Sequence, residues 1–144
     1  MSTETIRHAP ELQARMTLSV LWIAVTLCYA YADIIGFFLP GALRMLLQGR
    51  MGPWPVSQGL LLGVAVMMAV SPVMALVSIA LQGRIVRALN VAFGLVFLVV
   101  ALASTVWSLR LGNLHYVFFS ALEGVMNGLI VWFALRGPGR GERA

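Results

Sequence analysis

The sequence predicts an all-α fold, a transmembrane four-helix bundle with short inter-helix loops. Of its 144 residues, 60% are hydrophobic and 10% are charged, and the mean hydropathy is +0.92. Soluble domains carry about 25% charged residues. A chain this short cannot bury so much apolar surface inside itself, so lipid must cover the remainder. Four apolar stretches each approach the ~20 residues that cross ~30 Å of hydrocarbon.

These stretches divide the chain into three segments. A polar N-terminal segment covers residues 1–16, and a flexible basic tail covers residues 137–144. The transmembrane domain, 17–136, lies between them, with spans predicted at residues 17–38, 58–81, 86–109 and 115–135. The first apolar run continues past the small residues that imitate a signal-peptide cleavage site, which argues against cleavage.

The connections between the spans follow from proline, glycine and charge. Leu39-Pro40-Gly41 ends the first span, and residues 42–51 predict a short helix lying in the membrane interface. Pro72 should bend the second span, because proline removes a backbone hydrogen bond. Tight turns near residues 82–84 and 111–113 should make neighbouring spans antiparallel and bring them into contact.

The basic residues indicate orientation rather than nucleic-acid binding. All ten are arginines at the ends of apolar runs, where they meet lipid headgroups. Seven arginines fall on the side of the termini and three on the other, which predicts that both termini are cytoplasmic. No basic patch is interleaved with aromatic residues, so no nucleic-acid partner is expected.

Two carboxylates lie inside the apolar spans and are the leading functional candidates. Asp33 and Glu123 are the only acidic residues between Glu11 and Glu142. An ionisable group in hydrocarbon costs at least ~2.5 kcal/mol on insertion scales, so it marks a functional site by default. Their predicted depths differ by only ~5 Å. Two such carboxylates repel each other, so the pair should share a proton or bind a cation.

Polar residues recur at spacings of three and four, which places each set on one helix face. Lipid cannot satisfy polar groups, so these faces should converge inside the bundle. The predicted inward sets are Ser19, Trp22, Thr26, Tyr29, Asp33 and Gly36; Met67, Ser71, Met74 and Ser78; Asn90, Gly94, Phe97, Ala101, Ser104 and Ser108; and Tyr116, Ser120, Glu123, Asn127, Ile130 and Ala134.

The candidate ligand- or ion-binding residues are drawn from these faces and from the outer loop. Plainer interpretations compete with each of them: a membrane acid can tie helices together, an amide can link two helices, and His115 at the interface can be solvated. The candidates are Asp33, Glu123, Asn127, Tyr29, Tyr116, Thr26, Asn90 and His115.

The sequence lacks the residues that several kinds of site require. The single cysteine, Cys28, permits no intramolecular disulfide and no cysteine metal cluster. No metal site or cofactor is predicted, because the chain has no HExxH, phosphate-binding loop or dinucleotide fingerprint. The methionines of the second span have no Cys or His beside them, which disfavours copper.

The runs LWIAVTLCYAYADIIGFFLPGAL, SPVMALVSIALQGRIVRALNVAFG and YVFFSALEGVMNGLIVWFAL resemble a family of small four-span bacterial membrane proteins known only as a domain of unknown function. The most specific matches are the Tyr-Ala-Asp, Arg-x-x-Arg-x-x-Asn and aromatic-x-x-x-Glu patterns. The resemblance implies a four-helix fold in a bacterial inner membrane, and it supplies no activity.

Three functional hypotheses remain open at this point. The first is a small oligomeric transport or permeation protein in which the membrane carboxylates bind a proton or cation. The second is a membrane-embedded enzyme or a protein that binds lipid or an apolar small molecule, with the Asp/Glu pair as acid and base. The third is an accessory subunit whose acids pair with a partner membrane subunit. The catalytic residues, if any, are not identified by the sequence.

Overall fold

The computed structural model describes residues 3–136, with side chains from residue 11 onward, and confirms the all-α bundle. The predicted flexible tail at 137–144 lies outside the described residues. The elements in chain order are α1 (Thr3–Gly36), α2 (Ala42–Leu47), β1 (Arg50–Met51), β2 (Trp54–Pro55), α3 (Gln58–Ala80), α4 (Arg84–Leu111) and α5 (Leu114–Arg136).

Four of the described helices are long and apolar enough to cross a membrane: Glu11–Gly36 within α1, and all of α3, α4 and α5. Only 17–33% of each apolar window is buried inside the protein. The rest of each helix presents apolar side chains outward, as lipid contact requires. These proportions agree with a multi-pass membrane protein.

The first helix is longer than the sequence suggested. It begins at Thr3, although the polar N-terminal segment lacks the apolar periodicity of a helix. Nucleation is the costly step of helix formation, and extending an existing helix adds one hydrogen bond for each residue that is fixed. A polar extension of a stable spanning helix therefore needs no apolar face of its own.

The link between α1 and α3 contains the predicted short helix and an unpredicted hairpin. No residue of α2 is buried, and Leu47 is 89% exposed, as expected for a helix resting on an apolar interface. β1 and β2 then pair antiparallel, Arg50 with Pro55 and Met51 with Trp54. Gly52 has a φ of 57° in the intervening turn, a backbone conformation that favours glycine.

The helices pack in a ring with one weak seam. α1 packs against α3 and α5, and α4 packs most extensively against α5. The expectation that consecutive spans are in contact holds strongly for α4 and α5 and only weakly for α3 and α4, whose sparse contact includes the Ser78–Asn90 hydrogen bond. The inward face of α3, centred on Met74 and Ala75, joins the core shared with α1 instead.

The α4–α5 contact has a tight point at a glycine. At Gly94 of α4, an added Cβ would lie 2.9 Å from the Cγ2 of Val131 and 3.3 Å from the Cγ2 of Ile130. The glycines of the Gly59/Gly63 pair have essentially nothing packed against them. On α5, a Cβ added at Gly124 would lie 4.0 Å from Ala101 and Leu98 of α4, an ordinary contact distance, so Gly94 is the tighter point between α4 and α5.

The predicted inward faces are mostly confirmed. On α5, every predicted residue that follows Tyr116 in the chain is buried, and Glu123 is only 4% exposed. On α3, Met67 is exposed while the other three members of its set are buried. On α4, Ser104 is exposed, and the neighbouring Thr105 faces α5.

On α1 the predicted face is confirmed at Ser19, Trp22 and Gly36, which are buried. Between Trp22 and Gly36 the buried positions are Val25, Cys28 and Ala32, so Asp33 lies beside the buried face and is exposed. Ideal three-four spacing leaves this choice open, because adjacent residues on a helix are only about 100° apart. Val25, 0% exposed, occupies the interior position that was expected for the neighbouring Thr26, which is only partly buried.

Candidate functional site

The candidate site lies between α1 and α5, toward the end of the bundle where α1 ends and α5 begins. We call Asp33, Glu123, Tyr29, Tyr116 and Asn127 the carboxylate cluster. The two helices run antiparallel, since Gly36 at the end of α1 abuts Tyr116 near the start of α5. Along α5 toward the interior, Glu123 comes about two turns after Tyr116, and Asn127 comes about one turn after Glu123.

Glu123 is the buried acid of the cluster. Its side chain is enclosed between helices and is 4% exposed. It lies within electrostatic range of both the Tyr29 hydroxyl and the Asp33 carboxylate. A carboxylate taken out of water normally needs a cation, a proton or strong hydrogen bonds to compensate.

Asp33 stands at the edge of the same cluster. Tyr116 lies close by, with its hydroxyl against Gly36, one turn further along α1. The Asp33 side chain is exposed at the bundle surface, unlike that of Glu123. The two acids therefore form one outer and one inner position of a single cluster rather than a symmetric buried pair.

Two further polar atoms in the cluster are buried without a hydrogen-bond partner among the described residues. They are the Tyr29 hydroxyl and the Asn127 Oδ1 atom. Asn127 uses its Nδ2 group to donate to the backbone carbonyl of Glu123 at 2.9 Å, which leaves its carbonyl oxygen as an open acceptor. Buried polar groups are rarely left unpaired. An open acceptor and an open hydroxyl near a buried acid are groups that a bound proton or cation could use as partners.

The basic side chains nearest the α4–α5 turn form no ion pair with the two acids among the described residues. The His115 ring packs on Tyr116 with the ring centroids 4.3 Å apart, and its Nε2 atom is buried without a partner among the described residues. Arg110 is exposed and lines a surface hollow beside Val106 and Trp107. His115 thus belongs to the outer edge of the cluster, whereas Arg110 faces away from it.

Residues outside the list of candidate binding residues support the cluster. Ser120 accepts a hydrogen bond from the Thr105 hydroxyl at 2.8 Å and donates to the Tyr116 carbonyl at 2.6 Å. The Thr105–Ser120 bond holds α5 against α4 at a point between Tyr116 and Glu123. Gly36 allows the Tyr116 ring to lie directly against the α1 backbone.

Two predicted candidates lie elsewhere. The Thr26 hydroxyl donates to the Trp22 carbonyl of its own helix, at 2.9 Å. Asn90 is fully buried nearer the other end of the bundle, where its Oδ1 accepts from Trp22 Nε1 at 2.8 Å and from Ser78 Oγ at 3.0 Å. Its Nδ2 donates to the Val86 carbonyl at 2.9 Å. Asn90 links three helices, and both its Oδ1 and its Nδ2 atoms have partners, which favours its plainer interpretation.

An apolar layer separates the carboxylate cluster from Asn90. Trp22 and Phe97 meet edge to face with centroids 5.9 Å apart, and Phe97 also contacts Tyr29. Val25 and Ile130 are each 0% exposed within the same core. The interior is closed at this layer in the conformation described.

The chain matches a known family model over most of its length. A model described as "Family of unknown function (DUF6326)" matches residues 9–137. The chain belongs to this family. The match spans all four long helices of this DUF6326 protein and confirms the expected membership of a family of unknown function. No curated protein and no solved structure was found to match the chain.

The residues of this DUF6326 protein favour some ligands over others. Among the described residues, no group of three or more His, Cys, Asp or Glu side chains comes together to hold a metal ion. Oxygen atoms dominate the carboxylate cluster, supplied by two carboxylates, two phenols and an amide. Oxygen donors suit protons and hard cations rather than soft metals.

Proposed function

We propose that this DUF6326 protein is a small transport protein of a bacterial inner membrane, in which Glu123 binds a proton or cation that exchanges through Asp33. The observation that carries the proposal is the burial of Glu123 beside unpaired polar atoms, inside a helix apolar enough to span a membrane. Ionisable residues placed in this way mark proton relays and ion pathways in membrane proteins.

The arrangement of the two acids supports a defined route. Asp33 is exposed, and Tyr116 stands beside it, so an ion from that end of the bundle meets Asp33 first. Glu123 is about one helical turn deeper, ~5–6 Å of axial rise. The Tyr29 hydroxyl and Asn127 Oδ1 then supply further oxygen ligands or hydrogen-bond partners around Glu123.

The closed apolar layer favours a binding transporter over an open pore. Trp22, Phe97 and Ile130 fill the interior beyond Glu123, and none is more than 4% exposed. An ion held at Glu123 can pass further only if these helices move apart. Opening the bundle at the weak α3–α4 seam would break the fewest helix–helix contacts.

Orientation and assembly complete the proposal. The arginine distribution supports a topology with both termini in the cytoplasm, which places Asp33 toward the outside. Four helices rarely enclose a wide path on their own, so a homo-oligomer is proposed. Cross-linking in the membrane through cysteines introduced on exposed α3 positions would test the assembly.

A flux assay tests the function. The purified protein is reconstituted into liposomes that contain a pH-sensitive dye, and proton, sodium and potassium gradients are imposed in turn with a potassium ionophore to set the voltage. We expect a dissipation of at least one gradient that Glu123→Gln abolishes and Asp33→Asn slows. Glu142→Gln makes the same chemical change in the C-terminal segment and should leave the flux intact.

The result that contradicts the proposal is equally specific. Flux of the chosen ion that is the same in the wild-type chain, Glu123→Gln and Asp33→Asn would remove both acids from the mechanism. Correct folding of each variant is checked by the protection of Cys28, which is 6% exposed in the folded protein, from a thiol reagent.

A further inference from the structure

A polar cavity lies at the opposite end of the bundle from the carboxylate cluster. Its volume is about 530 Å³, and side chains from all four long helices line it. We call it the arginine vestibule, after Arg15 of α1 and Arg84 and Arg87 of α4. Glu11 is the acidic residue among its described lining side chains, so the arginines outnumber the acids three to one.

Two of the arginines are held in place by helix ends. Arg15 donates to the carbonyls of Ser78 and Ile79 in the last turn of α3, and Arg87 donates to the Leu135 carbonyl in the last turn of α5. These bonds satisfy carbonyls that a helix C-terminus leaves open. A guanidinium carries five N–H donors, so each arginine retains donors for a ligand.

The vestibule also contains the N-terminus of α4, where the side-chain charges have the same sign as the positive end of the helix dipole. α4 begins at Arg84, and its first turn contains no acidic residue. The N-cap residue, Gly83, supplies no side-chain hydrogen bond. A helix N-terminus is stabilised by negative charge, yet Arg84 and Arg87 add positive charge there. An anion bound between them would reverse this unfavourable arrangement.

The remaining lining residues indicate which kind of ligand the cavity suits. Leu18, Phe133 and Ala134 form an apolar wall, and Asn90 lies at the buried side of the cavity. Ligand cavities commonly enclose about 300–1,000 Å³. Several guanidinium groups and open backbone N–H groups suit phosphate, which accepts many hydrogen bonds at once and pairs with arginine in a bidentate manner.

We propose that the arginine vestibule binds the phosphate group of an anionic ligand, which is either a lipid headgroup or a soluble phosphate compound. This inference does not depend on the transport proposal, because it concerns other residues at the other end of the bundle. It assigns a binding role to arginines that a sequence reading treats only as anchors for orientation.

The test measures dissociation constants for the full chain in detergent. One arm uses short-chain phosphatidylglycerol with short-chain phosphatidylcholine as its neutral comparison, and the other uses sodium phosphate against sodium chloride at equal ionic strength. The main variant is Arg84→Gln, because Arg84 is exposed and its loss leaves the arginine–carbonyl bonds intact. Arg44→Gln, in the exposed α2 helix at the other end, is the matched control.

We expect Arg84→Gln to bind about tenfold more weakly than the wild-type chain, which corresponds to ~1.4 kcal/mol. Arg84→Lys should be intermediate, since it keeps the charge and loses the bidentate geometry. Binding of phosphatidylglycerol alone identifies a lipid ligand, and binding of both probes shows that phosphate suffices. Equal weakening by Arg44→Gln and Arg84→Gln, or failure of the wild-type chain to bind either probe, overturns the proposal.

Discussion

The hydrogen bond between Trp22 and Asn90 predicts a measurable energetic coupling between helices. The indole Nε1 donates to Asn90 Oδ1 at 2.8 Å, and both residues are 0% exposed. Asn90→Leu removes the acceptor and leaves the indole N–H buried without a partner, at a cost of ~1–3 kcal/mol. Ser78 also donates to Asn90, but its hydroxyl can turn to a carbonyl of its own helix.

The magnitude follows from a double-mutant cycle. Hydrogen bonds between membrane helices average ~0.6 kcal/mol and reach ~1.7 kcal/mol. We expect Asn90→Leu and Trp22→Phe to destabilise the fold by ~2 kcal/mol each, because each empties or unpairs a fully buried position. The double variant should lose ~1 kcal/mol less than the sum, since neither polar partner remains to be left unsatisfied.

The assay exploits the single cysteine of the chain. Cys28 is 6% exposed, so its labelling by a thiol-reactive fluorophore during a denaturing-detergent titration reports global unfolding. Asn127→Leu serves as the control, because the Asn127 side chain bonds only within α5 and should combine additively with Trp22→Phe. A coupling indistinguishable from that control would refute the assigned role of Asn90 as an interhelical link.

The other predictions concern the close contacts of α1, α4 and α5. Gly94→Val should destabilise the protein by ~1–3 kcal/mol through overpacking against Val131. The matched variant Gly63→Val has nothing within 4 Å and should be near neutral in the same labelling assay; equal losses would contradict the packing. Gly36→Ala should also destabilise, because its Cβ would collide with the Tyr116 hydroxyl, and Tyr116→Phe should partly rescue it. Absence of rescue would show that this contact does not limit the fold.

The α5 helix shows how far the sequence could lead. Its polar residues fall on one face, and no competing stripe of large apolar residues displaces them, so Glu123 and Asn127 are buried as the spacing predicts. On α1 the same spacing rule was less decisive. Trp22 and Val25 dominate the packing, and Asp33 is left beside the buried face rather than within it.

The relative positions of the helices were harder to predict than their faces. A short loop limits the distance between α3 and α4 only near the loop, and it does not determine which helix each apolar face will meet. The Ser78–Asn90 hydrogen bond joins the two helices, while the Met74 side of α3 packs in the shared core. Nothing in the local sequence of residues 81–83 indicates that the two helices will otherwise remain apart.

The arginine vestibule was missed for a related reason. Arginines at helix ends suit lipid headgroups in any membrane protein, so their number indicates orientation and not a site. The Arg-x-x-Arg-x-x-Asn spacing from Arg84 to Asn90 was the available signal, because it places all three side chains on one face of α4. The contribution of Arg15 depends on the packing of α1 and could not be derived from α4 alone.

Infrared difference spectroscopy of Glu123 tests the central claim most directly. The reconstituted protein is stepped in pH or in cation concentration, and the carboxyl bands that change are compared between the wild-type chain and Glu123→Gln. The account predicts a band that changes on proton or cation uptake in the wild-type protein and is missing in the variant. Identical difference spectra for the two proteins would contradict it, because the buried carboxylate would then take no part in binding.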